Sequence, residues 1–364
     1  MRAREQVNEP LGTATSMFRP HTNTPILDWQ GLRSHLQTIG HDLDLGSPPR
    51  QFAGGLGNLN FLVTFDGEPC VLRRPPFGLI PRGANNMERE HRVLHTLWKA
   101  YPWAPKSLLY CADPSIIGAH FLVMAYRPGL IIGGELPPHL ESAQAGSKLS
   151  AMMVRLLATL HAVDPQAVGL ETLGRPDGFL QRASDGWAQR AGAAAGPFAD
   201  PLVDELSRWL RTNAVPDGAP TLLHCDFKLD NIVLDEHTLE PRAVLDWDMA
   251  TRGDPLFDLA TLLSYWTEAS DPPSMRALGQ MPTAQPGFWT RAQALQAYSK
   301  ATGRDVSNFL FYRVLALFKL SVVFLQLHAR HREGATTDDR YVRFAGLGRD
   351  ILEFTHSVAL GRAN

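Results

Sequence analysis

The stretch HCDFKLDNIVLDEHTLEPRAVLD, residues 224–246, decides the fold that we predict for this chain. Residues 232–234 and 243–245 are apolar runs rich in β-branched side chains, and the segment between them contains Asp, Glu, His, Thr and Pro, which predicts two strands joined by a turn. Antiparallel pairing places the start of the first strand beside the end of the second. We therefore expect Asn231 and Asp246 to be spatial neighbours, with Asp226 one short loop upstream.

These three side chains have the chemistry that Mg²⁺-assisted group transfer requires. Carboxylate and amide oxygens are the hard ligands that the ion prefers. A separate carboxylate within reach can accept the proton of an attacking hydroxyl. A phosphotransferase is therefore the first hypothesis. A metal-dependent hydrolase built from His224, Asp226 and Asp246 is an alternative, and it predicts metal binding without a nucleotide.

A family resemblance narrows the choice. His224, Asp226, Lys228 and Asn231, followed by Asp246, resemble the catalytic loop and metal-binding aspartate of the protein-kinase-like fold. Residues 244–248 (VLDWD) and 253–260 (GDPLFDLA) are similar to the aminoglycoside phosphotransferase and choline kinase family. With VLRRPP at 71–76, they resemble the branch also found fused to acyl-CoA dehydrogenases.

The resemblance implies an α+β fold with two lobes. The N-lobe is expected to be a small antiparallel β-sheet with one main helix, and the C-lobe to be larger and mostly helical. Residues 1–25 are expected to form a flexible tail, residues 26–126 the nucleotide-covering N-lobe, and residues 127–364 the hinge and C-lobe with the acceptor site.

The resemblance also assigns roles to the loop residues. Asp226 would take the proton from the acceptor hydroxyl, and Lys228 would neutralise the moving phosphoryl group. Asn231 and Asp246 would hold the Mg²⁺ ions that bridge the nucleotide phosphates. Cys225 departs from relatives, which usually have glycine or arginine at this position.

Two further residues are expected to support this loop. His224 is expected to be a packed, hydrogen-bonded histidine that braces it. Asp258 begins an apolar helix, so it can cap free amides or hold the loop from below, and the resemblance implies the second role. Only the twelve residues from Asp246 to Asp258 are available, which leaves no room for the long activation segment of protein kinases and favours a small-molecule acceptor.

The N-lobe needs a loop that covers the phosphates. A glycine turn at residues 54–58, which includes Gly55, Gly57 and Asn58, lies between two strand candidates, and its amides could face phosphate oxygens. An ordinary hairpin turn is the alternative.

A cation and a partner carboxylate are expected next. Period-two alternation in residues 70–74 places Arg73 and Arg74 on opposite faces, and Arg73 matches the phosphate-gripping lysine of the family. Residues 85–100 predict an amphipathic helix in which Glu90 lies among core residues. Because an unpaired buried charge is costly, Arg73 is the expected partner of Glu90.

Strands are predicted at residues 107–111 and 120–126. The second strand runs into Arg127-Pro128-Gly129, which fits a hinge between lobes. The backbone of Met124 to Tyr126 is then expected to hydrogen-bond the adenine edge, with Met124 or Val123 packing on the face of the base. An edge strand followed by a turn is the alternative.

The C-lobe pattern changes to helical periodicity, with helices predicted at 148–161, 201–212 and 311–326. Lys319 is the only charge in the apolar stretch from Val314 to Leu327, so it either reaches toward solvent or faces a pocket for an anionic acceptor. The apolar runs on either side of Lys319 are too short for a membrane span. Trp266, Trp289 and Tyr312 either pack in the core or line the acceptor pocket.

Composition supports a two-lobed protein without a nucleic-acid or membrane partner. The chain has 364 residues, a formal net charge of −2 and a pI near 6.7, with no basic run. Three cysteines without metal spacing predict a reducing cytoplasm. We expect ATP and Mg²⁺ as cofactors, a hydroxyl-bearing small molecule such as an acyl or hydroxyacyl compound as acceptor, and a monomer or homodimer. A nucleotide-binding regulator without catalytic activity is the remaining alternative.

Overall fold

The computed structural model describes residues 17–20, 25, 27–54, 57–78, 85–195, 200–334 and 339–363. The strands in these ranges are β1 Leu43–Asp44, β2 Arg50–Gln51, β3 Leu59–Phe65, β4 Glu68–Arg74, β5 Ser107–Cys111, β6 Phe121–Ala125, β7 Leu130–Ile131, β8 Thr221–Leu223, β9 Ile232–Leu234, β10 Pro241–Val244 and β11 Thr251–Gly253. The α-helices are α1 Trp29–Thr38, α2 Met87–Leu97, α3 Ala143–His161, α4 Phe179–Ala195, α5 Pro201–Thr212, α6 Pro255–Tyr265, α7 Pro273–Arg276, α8 Arg291–Thr302, α9 Phe309–Arg332 and α10 Phe344–Ala359.

The first lobe is an antiparallel sheet in the order β1-β3-β4-β6-β5, with β2 paired to β3. Alternation along β4 sends Leu72 toward α1 and Val71 toward α2, so each face of the sheet buries an apolar layer against a helix. Arg73 follows the Val71 face, as predicted. The lobe therefore has a second helix, α1, in addition to the single main helix that we predicted.

Residues 17–20, which we predicted to belong to a flexible tail, are hydrogen bonded to the sheet. The Ala53 N–H donates to the Met17 carbonyl (3.0 Å), and the Arg19 N–H donates to the Gln51 carbonyl (2.8 Å). The central carbon of the Arg50 guanidinium lies over the Phe18 ring, 3.6 Å from the ring centre. Residues 1–16, which make up most of the predicted tail, lie outside the described residues.

The second lobe is mostly helical, and its core continues the apolar layer under α2. The two short sheets β10-β9-β7 and β11-β8 frame the segment that the sequence singled out. Every residue of α6 is buried, and α6 packs against α9. Asp254 begins α6 by accepting a hydrogen bond from the Leu256 N–H.

Helix α9 is longer than the sequence pattern indicated. By length and composition alone it would qualify as a membrane span, so the run-length exclusion made from the sequence does not hold. Of its most apolar 18-residue window, 67% is buried within the fold, where α9 packs against α4, α6 and α10. That burial is typical of a core helix.

Candidate active site

The hairpin predicted at residues 232–245 is present. Strands β9 and β10 pair antiparallel with Val244 opposite Ile232, and the Leu245 N–H donates to the Asn231 carbonyl (2.8 Å). Asn231 and Asp246 therefore flank the same end of the hairpin, as the pairing argument required. Asp246 has a left-handed backbone (φ 68°), which turns the chain sharply after β10.

Asp226 lies beside this hairpin end with both carboxylate oxygens held. The Asn231 side-chain amide donates to Oδ2 (3.2 Å) and to the Asp226 carbonyl (2.9 Å), and the Tyr265 hydroxyl donates to Oδ1 (2.9 Å). Burial, and then the Asp226 charge, raises the pKa of Tyr265 well above its usual value, so the hydroxyl keeps its proton. The carboxylate is thus fixed in one orientation while its side chain remains 21% exposed.

Lys228 belongs to the same cluster. Its ammonium lies 3.3 Å from an oxygen of Asp230 and 3.8 Å from Asp226 Oδ2, donates to the Gln280 side chain (3.1 Å), and sits over the Tyr265 ring. Burial alone would lower the pKa of Lys228, but the two carboxylates raise it. Lys228 therefore carries a fixed positive charge next to Asp226.

The predicted pair on the N-lobe is also present. Arg73 Nε lies 2.8 Å from Glu90 Oε2, and both residues are buried. The other end of the guanidinium donates to Asp246 Oδ1, so Arg73 joins the N-lobe to the C-lobe hairpin. Burial acts to lower the pKa of Arg73, but Asp246 and Glu90 raise it, and the guanidinium stays charged.

The glycine turn is linked to the hairpin through Asn58. The Asn58 side-chain amide donates to Asp248 Oδ2 (3.2 Å), and its oxygen accepts from Asn85 (2.9 Å). Burial, followed by repulsion from Asp246, raises the pKa of Asp248 to about 6. Gly57 is exposed, and Gly55 lies outside the described residues.

The predicted hinge directly follows strand β6. β6 is an internal strand between β4 and β5, which excludes the edge-strand alternative. Met124 is buried in the core, opposite Val71. The N–H groups of Ala125 and Tyr126 donate to the Lys106 and Pro69 carbonyls, so these two donors are already used. An adenine contact at Ala125 or Tyr126 would have to use a carbonyl.

His224 and Asp258 support the catalytic loop through hydrogen bonds, as predicted. Asp258 accepts hydrogen bonds from the N–H groups of His224 and Cys225 (both 2.7 Å) and lies 3.3 Å from His161 Nε2. His224 is fully buried, and its Nε2 lies 2.8 Å from the Leu245 carbonyl. Burial acts to raise the pKa of Asp258, but the contact with His161 and the other partners lowers it overall.

Lys319 takes neither position that we expected. It is 5% exposed, and its ammonium donates to the Cys225 carbonyl (2.6 Å). The three aromatic residues proposed for an acceptor pocket also have other partners. Trp266 is fully buried and donates to the Trp289 carbonyl, the Trp289 indole donates to Ser147, and the buried Tyr312 donates to Asp254.

Sequence reasoning missed Tyr265, Gln280 and Asp248 as site residues. Asp248 stood in the quoted VLDWD motif, two residues after Asp246, which was a usable signal. Tyr265 and Gln280 reach the cluster only because α6 and the segment after it fold against the loop, and no local pattern marks them.

The oxygen ligands offered by Asn231 and Asp246 suit a magnesium ion that also binds phosphates better than a metal bound by protein side chains alone. Within the described ranges, no group of three or more His, Cys, Asp or Glu side chains is arranged to hold a metal. Mg²⁺ typically uses one or two carboxylates together with substrate phosphates. The 36%-exposed Asp246 side chain and the Asn231 amide oxygen are donors of that kind.

A sheet lobe and a helical lobe meet at this cluster, and that arrangement defines a kinase-like phosphotransferase fold. The model of the phosphotransferase enzyme family matches residues 49–295, and the chain belongs to this family. A solved Ralstonia eutropha protein, described as a candidate aminoglycoside phosphotransferase, superimposes with a TM-score of 0.75 at 25% identity, covering 92% of this chain and 99% of that one. A choline/ethanolamine kinase family protein from Mesorhizobium loti has the same fold (TM-score 0.56, 16% identity, covering 90% and 94%).

Among curated proteins, the chain is 32% identical to acyl-CoA dehydrogenase family member 11 of Gallus gallus over 84% of its length, and 30% identical to member 10 of Mus musculus over 96%. These matches confirm the predicted resemblance to the branch fused to acyl-CoA dehydrogenases. The aligned regions cover 39% and 33% of those relatives, so the chain spans well under half of their length.

Proposed function

We propose that this protein transfers the γ-phosphoryl group of ATP, with Mg²⁺, to a hydroxyl of a small molecule. The observation that supports this most directly is the link between lobes, in which Arg73 of the N-lobe pairs with both Glu90 and Asp246. That link puts a permanent cation beside the hairpin end where Asn231 and Asp226 also lie.

The residues of the cluster would divide the work. Asp226 accepts the proton of the attacking hydroxyl as the oxygen bonds to phosphorus and the bond to the leaving phosphate breaks. Tyr265 and Asn231 hold the Asp226 carboxylate, and Lys228 opposes the negative charge that spreads over the phosphoryl oxygens.

Arg73 and the turn at residues 54–58 would contact the nucleotide phosphates from the N-lobe side. Asn231 and Asp246 would hold the magnesium ion, which neutralises charge on the phosphate oxygens. Because Asp246 is now paired with Arg73, we infer that metal and nucleotide binding loosens that contact while Arg73 keeps Glu90.

An acyl or hydroxyacyl acceptor is the class we favour, because the curated relatives are named as acyl-CoA dehydrogenase family members. The acids of the segment after α6 argue against a polycationic acceptor. Asp271 accepts two hydrogen bonds from Arg291 (2.6 and 2.7 Å), and Glu268 lies 3.6 Å from the same guanidinium. These carboxylates are therefore neutralised within the protein.

The two alternatives have less support. A regulator without catalytic activity would not need Asp226, Lys228, Asn231 and Asp246 together in one cluster. The hydrolase needs His224 as a metal ligand, but His224 Nε2 faces the Leu245 carbonyl and its Nδ1 lies 3.3 Å from the Asp226 N–H. His224 is thus committed to the backbone.

The test is a screen of hydroxyl-bearing metabolites, including acyl and hydroxyacyl compounds, with purified protein, Mg²⁺ and labelled ATP. Asp226→Asn should lower transfer to the acceptor by about 10²- to 10⁴-fold, the usual contribution of a general base. ATP affinity, measured by calorimetry, should stay within about twofold because Asn preserves the shape of the side chain.

Asp235→Asn is the matched control, since Asp235 lies at the opposite end of the same hairpin and bonds to its own turn and Arg242. It should retain transfer activity. ATP binding without transfer to any acceptor would instead support the regulator, and metal binding without ATP binding would support the hydrolase.

A further inference from the structure

Lys319 provides a buried positive charge that the mechanism above does not use. It lies in the middle of α9, the Cys225 carbonyl accepts its hydrogen bond at 2.6 Å, and its ammonium is 5.6 Å from the centre of the Phe257 ring. A lysine usually keeps its ammonium in water, so full burial against a backbone carbonyl calls for a specific reason.

The residue that Lys319 contacts has an unfavourable backbone conformation. Cys225 has φ 67°, in the left-handed region where a β-carbon crowds the following carbonyl. Its N–H donates to Asp258 Oδ1 (2.7 Å), and its carbonyl accepts from Lys319. Two buried side chains of opposite charge, one from α6 and one from α9, therefore hold both polar groups of this one residue.

This arrangement acts on the next residue. The Cys225 carbonyl belongs to the peptide plane that leads into Asp226, and the N–H of the same plane faces His224 Nδ1 at 3.3 Å. Rotating that plane would change the direction in which the Asp226 side chain leaves the backbone. Tyr265 and Asn231 can hold the carboxylate only if it arrives in the right place.

We propose that Lys319 is a positioning residue for the phosphotransfer proposed above: by holding the Cys225 carbonyl, it keeps the left-handed turn that aims Asp226 at the acceptor. The inference rests on that proposed function. It accounts for the only charged residue in the apolar stretch from Val314 to Leu327, and it places the lysine beneath the loop instead of in the acceptor site.

The experiment combines Lys319→Met with changes at Cys225. Glycine adopts a positive φ without a steric penalty, so Cys225→Gly should make the turn less dependent on Lys319. Cys225→Ala removes the thiol but keeps the β-carbon, and it is the matched control. Each variant is assayed with Mg²⁺, ATP and the acceptor found in the screen, and its thermal unfolding is recorded.

In the wild-type background, Lys319→Met should lower kcat by about 100-fold, the scale of a small misplacement of a reacting group, with the KM for ATP changed less than about twofold. In the Cys225→Gly background the loss should shrink at least about tenfold, and in the Cys225→Ala background it should not shrink. An equal loss in all three backgrounds, or no loss at all, would overturn the proposal.

Lys319→Leu, which also removes the donor to the Cys225 carbonyl, replaces Lys319→Met in the same series if the methionine variant melts below the assay temperature. Hydrogen–deuterium exchange at residues 224–231 gives an answer even if the wild-type protein transfers phosphate to no acceptor. Faster exchange there in the Lys319 variant supports the coupling to Cys225, and unchanged exchange overturns it. A failure of the proposed function is thereby separated from a failure of this inference.

Discussion

Arg73 and Lys319 are two cations buried to the same extent, 5% exposed in each case, but Arg73 belongs to the N-lobe sheet and Lys319 to a C-lobe helix. Arg73 pairs with two carboxylates, and one of them, Asp246, is partly open to solvent. Lys319 binds a backbone carbonyl under the catalytic loop. We therefore expect Arg73 to be able to exchange Asp246 for a ligand. The backbone carbonyl bound by Lys319 is a fixed part of the loop.

This difference in partners predicts that Arg73 acts in ligand binding, whereas Lys319 acts on the geometry of the catalytic loop. If it holds, changes at Arg73 should affect both nucleotide affinity and stability, while changes at Lys319 should act on the rate of transfer. Asp258, which holds the other polar group of Cys225, should resemble Lys319 in leaving nucleotide affinity unchanged, although its loss should also lower stability. The following variants test that division, from the largest expected effect to the smallest.

Arg73→Met should have the largest effect. It leaves Glu90 fully buried without its cation, and breaking a buried pair in this way costs about 3–5 kcal/mol. We expect a large loss of unfolding free energy in urea and no measurable ATP binding by calorimetry. Arg73→Lys keeps the charge but cannot fork onto both carboxylates, so it should retain the fold and bind ATP more weakly. Normal ATP affinity in Arg73→Met would remove the distinction between the two cations.

Asp258→Asn should be next, because the amide cannot keep all the contacts that the carboxylate makes with the His224 and Cys225 N–H groups and with His161. A loss of about 3 kcal/mol at pH 7 is expected. Since the pKa of Asp258 is lowered below its ordinary value of 3.8, its stabilising contribution is complete above that pH and is lost as the pH falls through the folded value.

Urea unfolding of wild-type protein and Asp258→Asn between pH 7 and pH 2.5 measures this contribution. The gap between the two should be constant from pH 7 to about pH 5 and should narrow below about pH 4. A gap that stays the same in acid would mean that the charge of Asp258 does not support the loop. ATP affinity of the folded variant should be nearly unchanged, in contrast to the Arg73 variants.

The sequence predicted the Arg73 side of this comparison well. Period-two alternation in β4 and the apolar stripe of α2 are local patterns, and each fixes the direction in which Arg73 or Glu90 points. Antiparallel pairing of β9 and β10 likewise determined that Asn231 and Asp246 would meet. These inferences needed only one element or one hairpin at a time.

The Lys319 side could not be predicted in the same way. The contact between Lys319 and Cys225 joins residues 94 positions apart, and it depends on how α9 packs under the loop. The link between Asn58 and Asp248 spans 190 positions and depends on how the lobes close. The burial of Met124 could not be predicted for a related reason, since Met124 lies opposite Val71 of β4 and the Tyr126 N–H donates to Pro69 of the same strand.

Tyr265→Phe should give the smallest effect, because the lost contact is one hydroxyl group and not a charge. Removing the hydrogen bond to Asp226 Oδ1 leaves the carboxylate with Asn231 and the more distant Lys228, and a bond to a charged group is worth about 1.5–3 kcal/mol. We expect kcat to fall by at least about tenfold with the KM for ATP unchanged, since the lost bond holds Asp226, the proposed base.

Tyr312→Phe is the control, because it also removes a buried tyrosine hydroxyl bonded to an aspartate, but that aspartate is Asp254 at the start of α6. It should lower the melting temperature slightly and leave kcat as it was. If the two phenylalanine variants lose the same activity, Tyr265 contributes only to packing, and the orientation of Asp226 would depend on Asn231 and on the loop beneath it that Lys319 and Asp258 hold.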